Sequence, residues 1–177
     1  MTWALETPRL LLRRPVASDA HAIFERYASD ADVTRYLAWP RHTSIGDTQA
    51  FLTFSDAEWA RWPAGPLMLF ARADGRLLGG SGLAFESEWQ AVTGYVLARD
   101  AWGQGYATEV LAAMVDLARS LGVRKLSATC HVDHRPSWRV MEKCGFEREA
   151  RMAGHTVFPN LSSQPQDVFL YSQVLQP

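Results

Sequence analysis

The residues of this chain best arranged for chemistry are Trp102-Gly103-Gln104-Gly105-Tyr106-Ala107-Thr108-Glu109. They stand between a strand-like run, Gly94-Tyr95-Val96-Leu97-Ala98, and a helical pattern that continues to Leu121. A glycine turn leading into a helix leaves backbone N–H groups without helical acceptors, and the helix dipole adds positive potential there. Glycine also lets the backbone approach a ligand closely. An anion site is therefore expected, and with it a ligand that carries phosphates. Two common phosphate motifs do not fit. G-x-G-x-x-G would need a small residue at Thr108 and a strand–helix–strand unit near the N-terminus, and the P-loop would need Gly-Lys-Ser/Thr. On its own the turn is also compatible with a plain helix cap.

The elements that must hold this turn follow from periodicity. Ala107, Val110, Leu111, Met114, Leu117, Ala118 and Leu121 keep helical spacing, and Gly122 suits the position after the helix. Before it, Arg9 to Arg14 reads as a strand, and Ser18 can cap a helix presenting Ile23, Phe24 and Tyr27 on one face. A second helix is expected from about Gly46 to Trp62, ended by Pro63 and Gly65. Leu67 to Arg72 and Leu77 to Phe85 are strands joined by an Asp74-Gly75 turn. Gly79, Gly80 and Gly82 mark a bulge or a close backbone approach in the second of these. Val92 to Ala98 and Lys125 to Cys130 are further strands. Pro136 fits the first turn of a short helix that Gly145 ends. Phe146 to Met152 and Val168 to Leu175 complete the sheet, with Ala153 to Gln166 read as loop. The order implies a mixed α/β domain over 1–177, a largely antiparallel sheet with helices on its faces.

Composition narrows the class. The 177 residues are 47% hydrophobic and 21% charged, with a net charge of −1. Those are globular values, without the basic footprint of a nucleic-acid or anionic-membrane binder. The N-terminal residues lack the basic and apolar regions of a signal peptide, and no apolar run is long enough to span a bilayer, so a cytoplasmic protein is expected. Cys130 and Cys144 are read as small buried apolar residues; with the scattered histidines they make no metal-ligand spacing.

Gly94 to Glu109 resembles the acetyl-CoA motif of the GNAT acetyltransferases, Q/R-x-x-G-x-G/A. Gly105 and Ala107 match its last two fixed positions, and Trp102 stands where Gln or Arg is usual. The W-G-x-G-Y-A-T-E form is similar to the Rim-type branch, which acetylates ribosomal-protein N-termini. Thr7-Pro8-Arg9-Leu10, Arg35-Tyr36-Leu37, Ser137 to Phe146 and Asp167 to Ser172 are similar to other landmarks of that branch. The resemblance implies the GNAT fold: about seven strands, mostly antiparallel, about four helices, and parallel strands four and five splayed to admit acetyl-CoA. Those two would be Val92–Ala98 and Lys125–Cys130. Carried residue by residue, it implies pyrophosphate binding by backbone N–H groups of Gln104, Gly105, Tyr106, Ala107 and Thr108, with Gly103 shaping the turn. The backbone near Leu97 would pair with the pantetheine arm and polarise the thioester.

Acyl transfer to an amine also needs a proton for the leaving thiolate and an amine free of its proton. Many family members place a tyrosine on the short helix for the first task, but Met141 holds that position here. The Rim-type pattern N-x-x-S instead places a serine near the sulfur. It reads His134-Arg135-Pro136-Ser137 in this chain, making Ser137 the candidate thiolate partner. His134, in place of Asn, can contact the cofactor or serve as acid or base. Glu86 is the candidate general base, with Glu88, His131 and Asp133 as further carboxylate and imidazole candidates. Tyr36, Leu37, Trp39, Pro40 and His42, with the loop 153–166, would wall the acceptor site. The leading expectation is transfer from acetyl-CoA to a primary amine, a protein N-terminus or a small amine, by direct attack on the thioester and without a metal. Alternatives are a small-molecule acetyltransferase acting on an antibiotic or amino acid, and a non-catalytic acyl-CoA-binding module. Monomer and homodimer both stay open.

Overall fold

A computed structural model describes residues 3–175; the four terminal residues of the expected domain lie outside it. Eight strands form one sheet in the order β1-β2-β3-β4-β5-β6-β8-β7. They are β1 (Ala4–Glu6), β2 (Leu10–Arg13), β3 (Pro66–Ala71), β4 (Leu77–Phe85), β5 (Gln90–Leu97), β6 (Lys125–His131), β7 (Glu147–Val157) and β8 (Pro165–Val174). Five α-helices accompany them: α1 (Ala20–Ile23), α2 (Ala31–Thr34), α3 (Ile45–Arg61), α4 (Tyr106–Ser120) and α5 (Arg135–Lys143). All neighbouring strands are antiparallel except β5 and β6. This is the expected GNAT architecture with one more strand, the edge strand β1, and one more helix, the short α2.

The core has two parts. Leu111, Met114 and Val110 of α4 pack with Leu126, Leu69 and Leu12 on one face of the sheet. Ile23, Tyr27 and Leu52 pack with Met68 on the other. α4 ends as its sequence requires: Gly122 takes φ 79°, and the Val123 and Gly122 N–H groups return to Ala118 O and Arg119 O. Gly145 closes α5 in the same way, with Phe146 N–H bonding Met141 O.

Two local expectations are corrected. Ser18 does not cap the first helix; Asp19 accepts from Val16 N–H at 2.8 Å and pairs with Arg13 through both carboxylate oxygens. A tight turn, Ala17–Asp19, precedes α1, and a wide turn, Phe24–Ala28, follows it. The segment 153–166 is not all loop. β7 continues through it to Val157, and β8 begins at Pro165, leaving residues 158–164 as the connection. Gly154, within the segment read as loop, sits at an irregularity in β7, with φ 55° and its N–H bonded to the Asp167 carboxylate.

Candidate active site

β5 and β6 pair only at Gln90–Lys125, Ala91–Leu126 and Val92–Ser127. Beyond Val92 they diverge, and the second half of each strand borders a V-shaped gap. On the other side of β5, Ala98 N–H donates to Leu78 O at 2.7 Å. Antiparallel alternation then turns the N–H and carbonyl of Leu97 toward the gap. That carbonyl accepts from the Trp102 indole Nε1 at 2.9 Å. The Leu97 N–H remains directed inward as a donor.

The phosphate turn lies at the mouth of this gap. Gly103 and Gly105 hold φ 70° and 82°. Gly105 is the N-cap of α4, and no side chain caps it. The first helical N–H to find an i−4 acceptor is that of Glu109, bonded to Gly105 O, so those of Tyr106, Ala107 and Thr108 project from the helix end. A Cβ at Gly103 would meet nothing within 4 Å, so the turn is open to a ligand. These are the residues expected to hold a pyrophosphate, and the geometry fits one: an uncapped dipole end, adaptable glycines and a gap leading inward.

Ser137 lies inside the gap, in the first turn of α5, and is 9% exposed. Its hydroxyl is not spent on its own backbone. It lies 3.1 Å from the Tyr95 hydroxyl, which donates at 2.7 Å to the Ser137 carbonyl. Tyr95 thus spans from β5 to α5. Burial, only partly offset by the Ser137 hydrogen bond, holds its phenol well above the usual range, so it orients neighbours rather than ionising. The position of the Tyr95 hydroxyl depends on an approach across 42 residues that no local pattern signals.

His134 stands at the N-cap position of α5 without a side-chain cap hydrogen bond, and its ring stacks on Tyr36 at 4.8 Å. Burial, helped by nearby His131, pushes its pKa down to about 4. It is therefore neutral at physiological pH and cannot serve there as an acid. His131, at the end of β6, is 3% exposed and contacts the rings of Tyr36 and Phe158. Its Nδ1 accepts from the Asp133 N–H at 3.1 Å. The structure thus joins Tyr36 to His131 and His134 at the open end of the gap. Trp39 and His42 pack on each other beside it, ring centroids 5.2 Å apart, and His42 Nδ1 is held by Thr48 at 2.8 Å. Asn160 closes the wall: its amide nitrogen donates to Thr34 O and Trp39 O, and its oxygen accepts from Arg41 N–H.

Glu86 and Glu88 are not brought to this place. They lie exposed on the β4–β5 turn, where Glu86 N–H bonds Gln90 O, at the end where β5 and β6 are paired. Asp133 is next to the cluster but its side chain is 76% exposed. No group of three or more potential metal ligands occurs among the described residues, and no described helix is long and apolar enough to cross a membrane.

Comparison with known proteins agrees with this geometry. A family model described as acetyltransferase (GNAT) domain matches residues 9–147. An uncharacterized N-acetyltransferase, YoaA of Bacillus subtilis (strain 168), is 30% identical over 96% of each chain. A GNAT-family acetyltransferase from Bacillus anthracis superposes with a TM-score of 0.84 at 24% identity, over 97% of this chain and 98% of that one. RimL, the ribosomal L7/L12 alpha-N-protein acetyltransferase solved with coenzyme A, superposes at 0.87 and 22% identity over 98% of each. The two structural likenesses carry the fold, and the family match over most of the chain carries the assignment: this protein belongs to the GNAT acetyltransferases.

Proposed function

We propose that this single-domain enzyme, in the cytoplasm, moves an acetyl group from acetyl-CoA to a primary amine by direct attack on the thioester. The observation that carries the reading is the gap between β5 and β6, with a donor N–H on one wall, a buried serine on the other and an uncapped glycine turn at its mouth. The thioester supplies an activated acyl carbon with a thiolate leaving group. The N–H groups of Gln104 to Thr108 bind the pyrophosphate. The Leu97 N–H donates to the thioester carbonyl oxygen as negative charge grows on it. Ser137, held in place by Tyr95, donates a hydrogen bond to the departing sulfur; as the C–N bond forms and the C–S bond breaks, the amine nitrogen gives up one proton and the thiolate takes one up, so the serine keeps its own. Neutral His134 accepts a hydrogen bond from the incoming amine, which arrives already deprotonated. Neither cysteine is used as a nucleophile; burial raises the Cys130 thiol to about 12.

The acceptor wall of Tyr36, His131, His134 and Phe158 is aromatic, with the largely exposed carboxylate of Asp133 beside it. It suits one amine on an apolar or peptide-like body, such as a protein N-terminus, better than a polycation. Thiol release from acetyl-CoA, measured against peptides, free amino acids, polyamines and aminoglycosides, tests both parts of the reading. Release with peptides or simple monoamines supports it. Release with polyamines or aminoglycosides alone overturns the acceptor class, and no release with tight acetyl-CoA binding overturns the transfer.

A further inference from the structure

Arg9 is 95 residues from the phosphate turn in sequence and in contact with it in space. It is the residue just before β2, at the end of the sheet where α4 begins. Its Nη1 donates to Gln104 O at 2.8 Å, its Nε donates to Glu109 at 2.7 Å, and its guanidinium lies 4.4 Å over the Tyr106 ring. Its Nη2 has no acceptor among the described residues and lies 3.4 Å from where a Cβ on Gly105 would stand. The guanidinium is thus fixed on three sides, with its remaining N–H groups next to the glycine that starts α4.

Glu109 explains why a cation is needed there. Its side chain is 14% exposed, one turn into α4. Burial alone would raise its pKa, yet hydrogen bonds from the Thr7 hydroxyl, the Arg9 N–H and the Arg9 side chain hold it below the usual carboxylate range. It is therefore a carboxylate beside a turn that must accept phosphate charge. At the position where the family motif carries Gln or Arg, this chain has Trp102, whose indole N–H is committed to Leu97. The turn has no cation of its own.

We propose that Arg9 is a cofactor-binding residue: it neutralises Glu109 and presents its free guanidinium edge to the pyrophosphate of the acyl donor. This rests on the acetyl-CoA reading above. A planar donor already held in place loses little freedom on binding an oxyanion. The chain therefore recruits, from the residue just before β2, the guanidinium that its motif lacks.

The test is binding of four probes, CoA, 3′-dephospho-CoA, 4′-phosphopantetheine and pantetheine, to the full chain and to Arg9→Gln and Arg9→Lys. Arg9→Gln should weaken CoA and dephospho-CoA about tenfold, the scale of one charge-assisted hydrogen bond, and leave pantetheine unchanged. Arg9→Lys should recover part of the loss, and the salt dependence of CoA binding should flatten in Arg9→Gln. Equal weakening of CoA and pantetheine would make Arg9 a structural brace and overturn the proposal, as would unchanged CoA affinity. Dephospho-CoA binding unaffected while CoA weakens would move the contact to the 3′-phosphate, and the proposal would also fall. If the parent chain binds none of the four probes, the acetyl-CoA reading itself fails, a result that no Arg9 variant can produce.

Discussion

Ser137 and Tyr95 form the smallest unit whose role can be separated by kinetics. The serine hydroxyl lies 3.1 Å from the Tyr95 hydroxyl, which also donates to the serine carbonyl. If Ser137 assists the leaving thiolate, Ser137→Ala lowers kcat by about 10- to 100-fold while the KM for acetyl-CoA changes little, because the interaction is made only as the sulfur departs. Tyr95→Phe keeps the ring and removes the hydroxyl, so it should lower kcat in the same direction by a smaller factor. The double variant should be no slower than Ser137→Ala, since Tyr95 acts through the serine. Steady-state kinetics of the three variants checks this; multiplicative losses would mean that the two side chains act independently. The serine was visible in the sequence because it falls on a motif position. Its partner was not, because β5 and α5 meet only after the fold closes.

At the level of elements, β4 shows how glycines set the spacing of the sheet next to the gap. A Cβ on Gly79 would lie 2.0 Å from Val96 O, inside any allowed contact, whereas one on Gly75, at φ 72°, would meet nothing within 4 Å. Gly79→Ala must therefore push β4 from β5 and should destabilise the protein by about 3 kcal/mol or more, while Gly75→Ala bears only left-handed strain of about 1–2 kcal/mol. Denaturant unfolding of the two variants gives the comparison, and equal losses would refute the close approach as the cause. The Gly79-Gly80-x-Gly82 run announced such an approach in the sequence. The long elements were legible for the same reason: α4 repeats its apolar positions over four turns, and Gly122 and Gly145 end their helices as left-handed caps. Short elements were not. β1 has three residues, too few to show alternation, and is held by pairing with β2 and by Trp3 packing on Trp59. Ser18 is a good cap residue by type, but it lies inside the tight turn Ala17–Asp19, which Asp19 closes by accepting from the Val16 N–H. Gly154 and the polar residues after it imitate a loop, while cross-strand pairing with β8 carries them as strand.

Across the whole molecule, the candidate site is assembled from parts that the sequence could name but not bring together. The phosphate turn is contiguous and was legible, whereas Arg9, Tyr36 and Asn160 reach the site from segments far apart, and Glu86, close to β5 in sequence, ends on a turn at the wrong end of it. Burial that only the closed fold creates also sets the state of His134. Its ordinary value is 6.5 and its folded value about 4, so the unfolded chain binds the proton more readily between those limits. The stability from this group is complete above about pH 6.5 and is lost as pH falls toward 4, by up to about 3 kcal/mol. Urea unfolding between pH 4.5 and 7.5 should show this slope, and His134→Gln should flatten it; an unchanged slope would assign the loss to other groups. Asn160 tests the acceptor side. Its three hydrogen bonds tie the β7–β8 connection to Thr34, Trp39 and Arg41, and they cross 119 to 126 residues of sequence. Asn160→Ala removes all three at one partly exposed position and should cost about 1–3 kcal/mol of stability. Because the phosphate turn and β5 are untouched, the KM for acetyl-CoA should stay constant while the KM for the amine rises several-fold. A rise confined to acetyl-CoA would place the acceptor elsewhere, and equal changes in both would mean that the loop braces the whole gap rather than one wall of it.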